Sequence, residues 1–85
     1  MRPRFMQVIT NQAAAAISAT DIIAWGVLVQ ADQGNSGDVT VGDSTAQTFQ
    51  VPTGPDYIGL PNVHLSQVYV KSTANGDKVN LIIYE

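Results

Sequence analysis

The chain has no cysteine and a single histidine, His64. Without cysteine no disulfide can form, and one histidine cannot build a clustered His/Cys zinc site. Charge is scarce as well: 13% of residues are charged, against about a quarter in an average domain. The 4 basic and 7 acidic residues leave a net charge of -3. No basic stripe is available to neutralise phosphates, so no nucleic-acid partner is expected. No run of 18 apolar residues exists, so no membrane-spanning helix is expected. Arg2-Pro3-Arg4-Phe5-Met6 carries the charge of a leader's n-region, but Gln7, Thr10, Asn11 and Gln12 interrupt any apolar stretch after it. A secretory leader is therefore not expected.

What is present is apolar and strand-like. Eighty-five residues make one domain, and 45% hydrophobic content argues against disorder. Size scaling predicts about 8,300 Å² buried on folding, contributing roughly 125 kcal/mol if about 60% of it is apolar. Ordering the chain costs roughly 128 kcal/mol. A core this marginal needs either very efficient packing or burial against further subunits, since disulfide and zinc staples are absent.

Periodicity is mostly that of strands. Ile23, Trp25, Val27 and Val29 alternate as one apolar face, and Gly26 within that run suggests a bulge or a close backbone approach. On this reading Trp25 belongs to the core. Ile22 and Leu28 add apolar character to the other face. Val39-Thr40-Val41 and Phe49-Gln50-Val51 alternate too, with Phe49 and Val51 on one side. Leu65–Ser72 reads as a strand, Asn75-Gly76 as a hairpin turn, and Lys78–Tyr84 as the return strand. Val79, Leu81 and Ile83 form its inner face; Asn80, Ile82 and Tyr84 point outward. Gln12–Ile17 has helix propensity, but a strand over Ala15–Ile17 is nearly as well supported. Strands near ten-residue spacing, broken by Gly, Pro and Asn, predict an all-β fold. The expectation is a small single-domain antiparallel β-sandwich or barrel, jelly-roll-like. An extended N-terminal arm over 1–12 precedes a β-sandwich domain over 13–85.

No catalytic set emerges. There is no Gly-x-Ser-x-Gly elbow and no cysteine nucleophile, and His64 sits beside a predicted strand end. Asp21, Asp32, Asp38, Asp43, Asp56 and Asp77 lie in or beside loops, where aspartate bonds nearby amides. Asp32, Asn35 and Asp38 miss the spacing of an EF-hand. Gly34 and Gly37 do not form a phosphate loop. No enzyme, cofactor or metal site is expected. The aromatics are the remaining chemistry: Tyr and Trp serve interfaces and sugar platforms. Candidate partner-binding residues are Arg2, Arg4, Phe5 and Met6 in the arm, with Tyr57 and Tyr69. Removing residues 1–6 is expected to spare the fold.

One ordered set of motifs resembles a known family. Ala24-Trp25-Gly26-Val27-Leu28-Val29-Gln30-Ala31 leads to an Asn-rich turn and then to Val39-Thr40-Val41-Gly42-Asp43-Ser44. Val68-Tyr69-Val70-Lys71-Ser72 and the terminal strand follow. This resembles the small β-sandwich structural proteins of tailed bacteriophages over residues 22–84. Gly59-Leu60-Pro61-Asn62 departs from that family's pattern, which has Gly in place of Asn62. The resemblance implies a virion component on the capsid exterior, made in the host cytoplasm. It implies a capsid decoration (cement) protein that binds the major capsid protein as a homo-oligomer, with a trimer favoured. The alternative is a carbohydrate- or receptor-binding module of a head fibre or tail, with Trp25, Tyr57 and Tyr69 as its platform.

Overall fold

The computed structural model describes residues 2–85. Eight strands run in chain order: β1 (Pro3–Thr10), β2 (Ala15–Ala16), β3 (Ile23–Ala31), β4 (Val39–Gly42), β5 (Phe49–Gln50), β6 (Ile58–His64), β7 (Tyr69–Ser72) and β8 (Asp77–Tyr84). A single 3-10 turn, Leu65–Gln67, separates β6 from β7. The β-branched content of β3, β4 and β8 suits a pleated, half-buried surface.

Two four-stranded sheets result. The long-stranded sheet has the order β1-β8-β3-β6, and the short-stranded sheet β2-β7-β4-β5. All named pairings are antiparallel. The pairs β1·β8, β2·β7, β3·β6 and β4·β5 are nested, as in one long hairpin folded at β4–β5. Rolling that hairpin adds β3·β8 and β4·β7. This is the double-sheet jelly roll, in agreement with the predicted fold class.

The core lies between the sheets and is almost entirely aliphatic. Val27, Val29, Val79, Leu81 and Ile83 project from the long sheet. Val39, Val41 and Val70 of the short sheet face them, with Ile17, Val51, Leu65 and Val68 closing the ends. Val79, Leu81 and Ile83 are the inner face predicted for β8. Among the described residues, none of the buried ones is aromatic. Short side chains on both inner faces let two small sheets close-pack without an aromatic wedge.

Several expectations are corrected. The Asn75-Gly76 turn is real, and Gly76 takes φ +87° there, a backbone region that glycine enters freely. It does not form a hairpin, however. β7 belongs to the short sheet and β8 to the long one, so the turn is an arch between layers. Leu65–Gln67, read as strand, is the 3-10 turn, which drops Leu65 into the core. Of the two readings left open near Ala15, the strand is the one observed.

The segment expected as an arm is not an arm. Pro3–Thr10 pairs with β8 rung by rung, from Pro3↔Tyr84 to Thr10↔Asp77. Asn11 and Gln12 then clasp the arch: the Asn11 carbonyl accepts from Ser72 N at 2.9 Å, and Gln12 N donates to Asn75 Oδ1 at 2.8 Å. No structural break falls at residue 12. Removing residues 1–6 would strip half of an edge strand.

Trp25 is not in the core; it is 66% exposed. The buried positions of β3 are Ala24, then Val27, Val29 and Ala31, so the alternation changes phase at Trp25–Gly26. β6 changes phase opposite it, with Ile58 and Leu60 turned inward and then Val63. The ladder runs Ala24↔Val63 and then Gly26↔Pro61, and the Trp25–Asn62 rung is missing. Asn62 has φ +44°. Both strands kink together, which keeps their register while turning Trp25 outward. Phe49 and Val51 do share one side of β5, and the Val51 N–H still bonds the Val39 carbonyl at 2.8 Å, but only Val51 is buried; Phe49 lies over an opening at the β5–β6 edge and is exposed.

Candidate functional site

Four of the six aromatics are more than half exposed: Phe5 (76%), Trp25, Phe49 (71%) and Tyr57 (59%). Tyr69 and Tyr84 are half-buried. The register assembles part of this set on the outer face of the long sheet. Phe5 lies opposite Ile82, Ile82 opposite Leu28, and Leu28 opposite Gly59. Because Gly59 has no side chain, this apolar row ends in a gap, bordered by Tyr57 from the segment before β6. The result is a groove of about 630 Å³.

The next row is built of amides. Gln7 lies opposite Asn80, and Asn80 opposite Gln30. Gln7 Nε2 donates to Asn80 Oδ1 at 2.8 Å, and Asn80 Nδ2 donates to Asp32 Oδ1 at 3.2 Å. Gln30 Nε2 donates to the Asp56 carbonyl at 3.2 Å. These bonds fix the orientation of each amide. The Asp32 carboxyl is held below its usual range, first by the Gly34 backbone N–H and then by the Asn80 amide. Among the described residues, no charged side chain lines the groove. Its chemistry suits a neutral partner that offers apolar surface and hydrogen-bonding groups.

Phe5, Met6 and Tyr57, singled out in the sequence, all border this groove. Met6 turns its side chain inward against the core, so its side chain supports the sheet instead of displaying a contact. Arg4 is tied to Glu85 at 3.4 Å, and Arg2 exchanges backbone bonds with Glu85; neither lines the groove. Tyr69 lies on the other sheet, beside Asp43, Ser44 and Ser66. Sequence reasoning did not select Leu28, Ile82, Gln7, Gln30 or Asn80. The outward placement of Ile82 and Asn80 was legible from β8, but their neighbours across the sheet depend on strand order.

A second apolar opening, about 400 Å³, lies where the edge strands β5 and β6 fail to close the sandwich. Val41, Phe49, Ile58, Leu60, Val63 and Val68 line it.

The polar clusters are structural. Asp21 accepts from Ser66 Oγ at 2.9 Å and meets His64 Nδ1 at 3.0 Å. Although this joins Asp, His and Ser, the serine bonds the carboxylate and not the imidazole. A nucleophile needs the base on its own hydroxyl, so the trio lacks the triad's order. The Asp21 carboxyl is pulled below its usual range, chiefly by the His64 bond and then by Ser66. Asp43 is lowered by the Ala46 and Thr45 amides of its own loop.

Asp77 is buried and accepts from Ser36 N and Gly37 N, both at 2.9 Å. Asn35 pairs its amide with both backbone groups of Lys78, at 2.7 and 2.8 Å. The 32–38 loop is thus sewn to β8, and the oxygens of Asp32, Asn35 and Asp77 are committed to that seam. Buried Thr10 donates to Ser72 Oγ or to the Asp77 carbonyl, each at 2.9 Å.

Compared with family models, with curated proteins and with solved structures, the chain matches none.

Proposed function

We propose that the protein is a non-enzymatic structural component of a virion, a capsid decoration protein of a tailed bacteriophage. In this reading it docks on the head shell through the outer face of its long sheet. The observation that carries the reading is the placement of the aromatics. A jelly roll whose core needs only aliphatic side chains leaves its large rings to the surface, four of them more than half exposed. Scattered exposed apolar residues are normal, but a row of Phe5, Ile82 and Leu28 beside Tyr57 is a contiguous contact surface. The low charge suits close apposition to another protein, because few ions must be desolvated. Binding selective for the assembled shell would raise particle stability by mass action.

The test is cosedimentation with heads built from the partner major capsid protein, followed by a thermal melt of the heads. Wild-type chain should bind and raise the melting temperature, and Phe5→Ala with Tyr57→Ala should abolish binding while the free protein stays folded. Undiminished occupancy by the double variant would overturn the docking face. A second reading, a carbohydrate-binding module, is favoured by one observation: Phe5 and Tyr57 stand beside the ordered amides of Gln7, Gln30 and Asn80. A glycan-array signal lost in Tyr57→Ala, with no binding to heads, would select that reading.

A further inference from the structure

We infer that β1 is a self-pairing edge, and that two copies of this chain join through it across a twofold axis into one continuous sheet. The sandwich has four edge strands: β1 and β6 in the long sheet, β2 and β5 in the short one. Edges are normally blunted by brevity, proline, charge or bulges. β2 and β5 have two residues each. β6 carries Pro61 and the left-handed Asn62 at its kink. β1 is eight residues long, and its ladder to β8 is unbroken. Pro3 and Arg4 stand only at its start; Phe5-Met6-Gln7-Val8-Ile9 contains no proline, glycine or charge.

The direction of the free groups follows from the ladder. Arg2 and Glu85 exchange both backbone bonds, Arg2 N to Glu85 O at 3.3 Å and Glu85 N to Arg2 O at 3.2 Å. Hydrogen-bonded rungs alternate in an antiparallel pair. The even residues of β1 therefore face β8, and Phe5, Gln7 and Ile9 present their N–H and C=O to solvent. A twofold pairing must set these odd residues against one another. Centring on Gln7 places Phe5 of one copy opposite Ile9 of the other, and Gln7 opposite Gln7. Each such rung exchanges two bonds, about six in all. Centring on Met6 instead would put Pro3, which has no donor, in a bonded rung opposite Ile9.

The side chains agree with that register. Phe5 and Ile9 are 76% and 65% exposed, and the pairing brings them together as an aromatic–aliphatic cross-strand pair at each end. Arg4 meets Thr10, so no like charges oppose. The overlap from Arg4 to Thr10 is about 24 Å long. It buries on the order of 500 Å² per copy, about 1,000 Å² in total, the lower bound for a specific interface. Association is therefore expected at micromolar concentrations. The outer face stays open, and the two grooves come to lie side by side.

Sedimentation equilibrium across about 10 to 500 µM tests this on the full chain. The expected result is a shift from 9.1 kDa to twice that mass. Gln7→Pro, whose lost N–H points to solvent, and Ile9→Lys should each weaken self-association at least about tenfold, with circular dichroism verifying the fold. Gln7→Cys gives the register directly. Bonded antiparallel rungs hold opposite Cβ atoms about 5.5 Å apart, wider than a disulfide spans, so a short bifunctional maleimide should convert it to a covalent dimer. Gln50→Cys, on a different edge, should stay monomeric. A monomer throughout, a trimer, a dimer indifferent to Gln7→Pro, or equal cross-linking at Gln50→Cys would each overturn the inference.

Discussion

The two sheets divide the labour of the molecule unequally. The strands of the long sheet run seven to nine residues and display Phe5, Ile82, Leu28 and Trp25 on the outside. Those of the short sheet run two or four residues. The outward positions of its central strands are Thr40, Gly42, Tyr69 and Lys71, with no aliphatic side chain among them. Both sheets supply aliphatic residues to the core, yet among the described residues the long one alone has a second, largely apolar outer row, Phe5, Ile82 and Leu28. A sheet face in water gains nothing in folding from large rings. The short sheet has Phe49 at its open edge and a half-buried Tyr69, but the contiguous apolar row is on the long sheet, which separates a display surface from a layer that mainly seals the core.

The sharpest test of that division uses neighbours on β8. Ile83 is fully buried between the sheets, while Ile82 faces the groove. Ile83→Ala should cost about 2–5 kcal/mol in urea melts, enough to leave a domain this small largely unfolded. Ile82→Ala should cost less than about 1 kcal/mol and instead reduce docking. Equal losses would erase the distinction between the faces.

Next comes the seam between layers. Asp77→Ala strands the Ser36 and Gly37 amides and should destabilise by about 1–3 kcal/mol, read as a fall in melting temperature. A comparable loss should follow a change in the short sheet. A Cβ on Gly42 would collide with the Ala46 carbonyl, which is backbone and must shift. Gly42→Ala is therefore expected to cost about 1–3 kcal/mol. Gly59 of the long sheet meets only Leu28 Cδ2 at 3.7 Å. Gly59→Ala should be tolerated within about 0.5 kcal/mol and partly fill the groove, so tightly packed glycine would mark the sealing layer and open glycine the display layer.

The smallest effect is with pH. The folded Asp21 carboxyl lies below its ordinary value of 3.8, so folding favours its ionised form. That contribution is complete above the ordinary value and fades as pH falls through the lowered one. Ser66→Ala removes one of the two bonds responsible and should slightly flatten acid unfolding below about pH 4. An unchanged acid limb would remove Asp21 from the stability of the β2–β3 link.

Much of this was legible locally. The inward triplet Val79, Leu81 and Ile83 follows from period two alone. The loops follow from their Gly, Asn and Asp, and Asp32 and Asp43 bond their own loop amides as such residues do. Trp25 was misplaced because one alternation was carried through Gly26, whereas paired kinks in β3 and β6 reset the phase. The groove was half legible: Phe5 and Tyr57 stood out as aromatics, but the amide row of Gln7, Asn80 and Gln30 joins three strands distant in sequence.

The amino-acid sequence by itself determined an all-β chain without a disulfide, the segments of β3, β4 and β8, the turns and the inner face of β8. These depend on side-chain period and on backbone preferences within a few residues. Only the tertiary structure decided that Asn75-Gly76 arches between sheets, that the N-terminal segment is an edge strand, and that the aromatics stand outside. β8 has two hydrogen-bonding edges, and β1 and β3 occupy both. β7 is thereby displaced to the other layer, a competition between distant segments that no local pattern encodes.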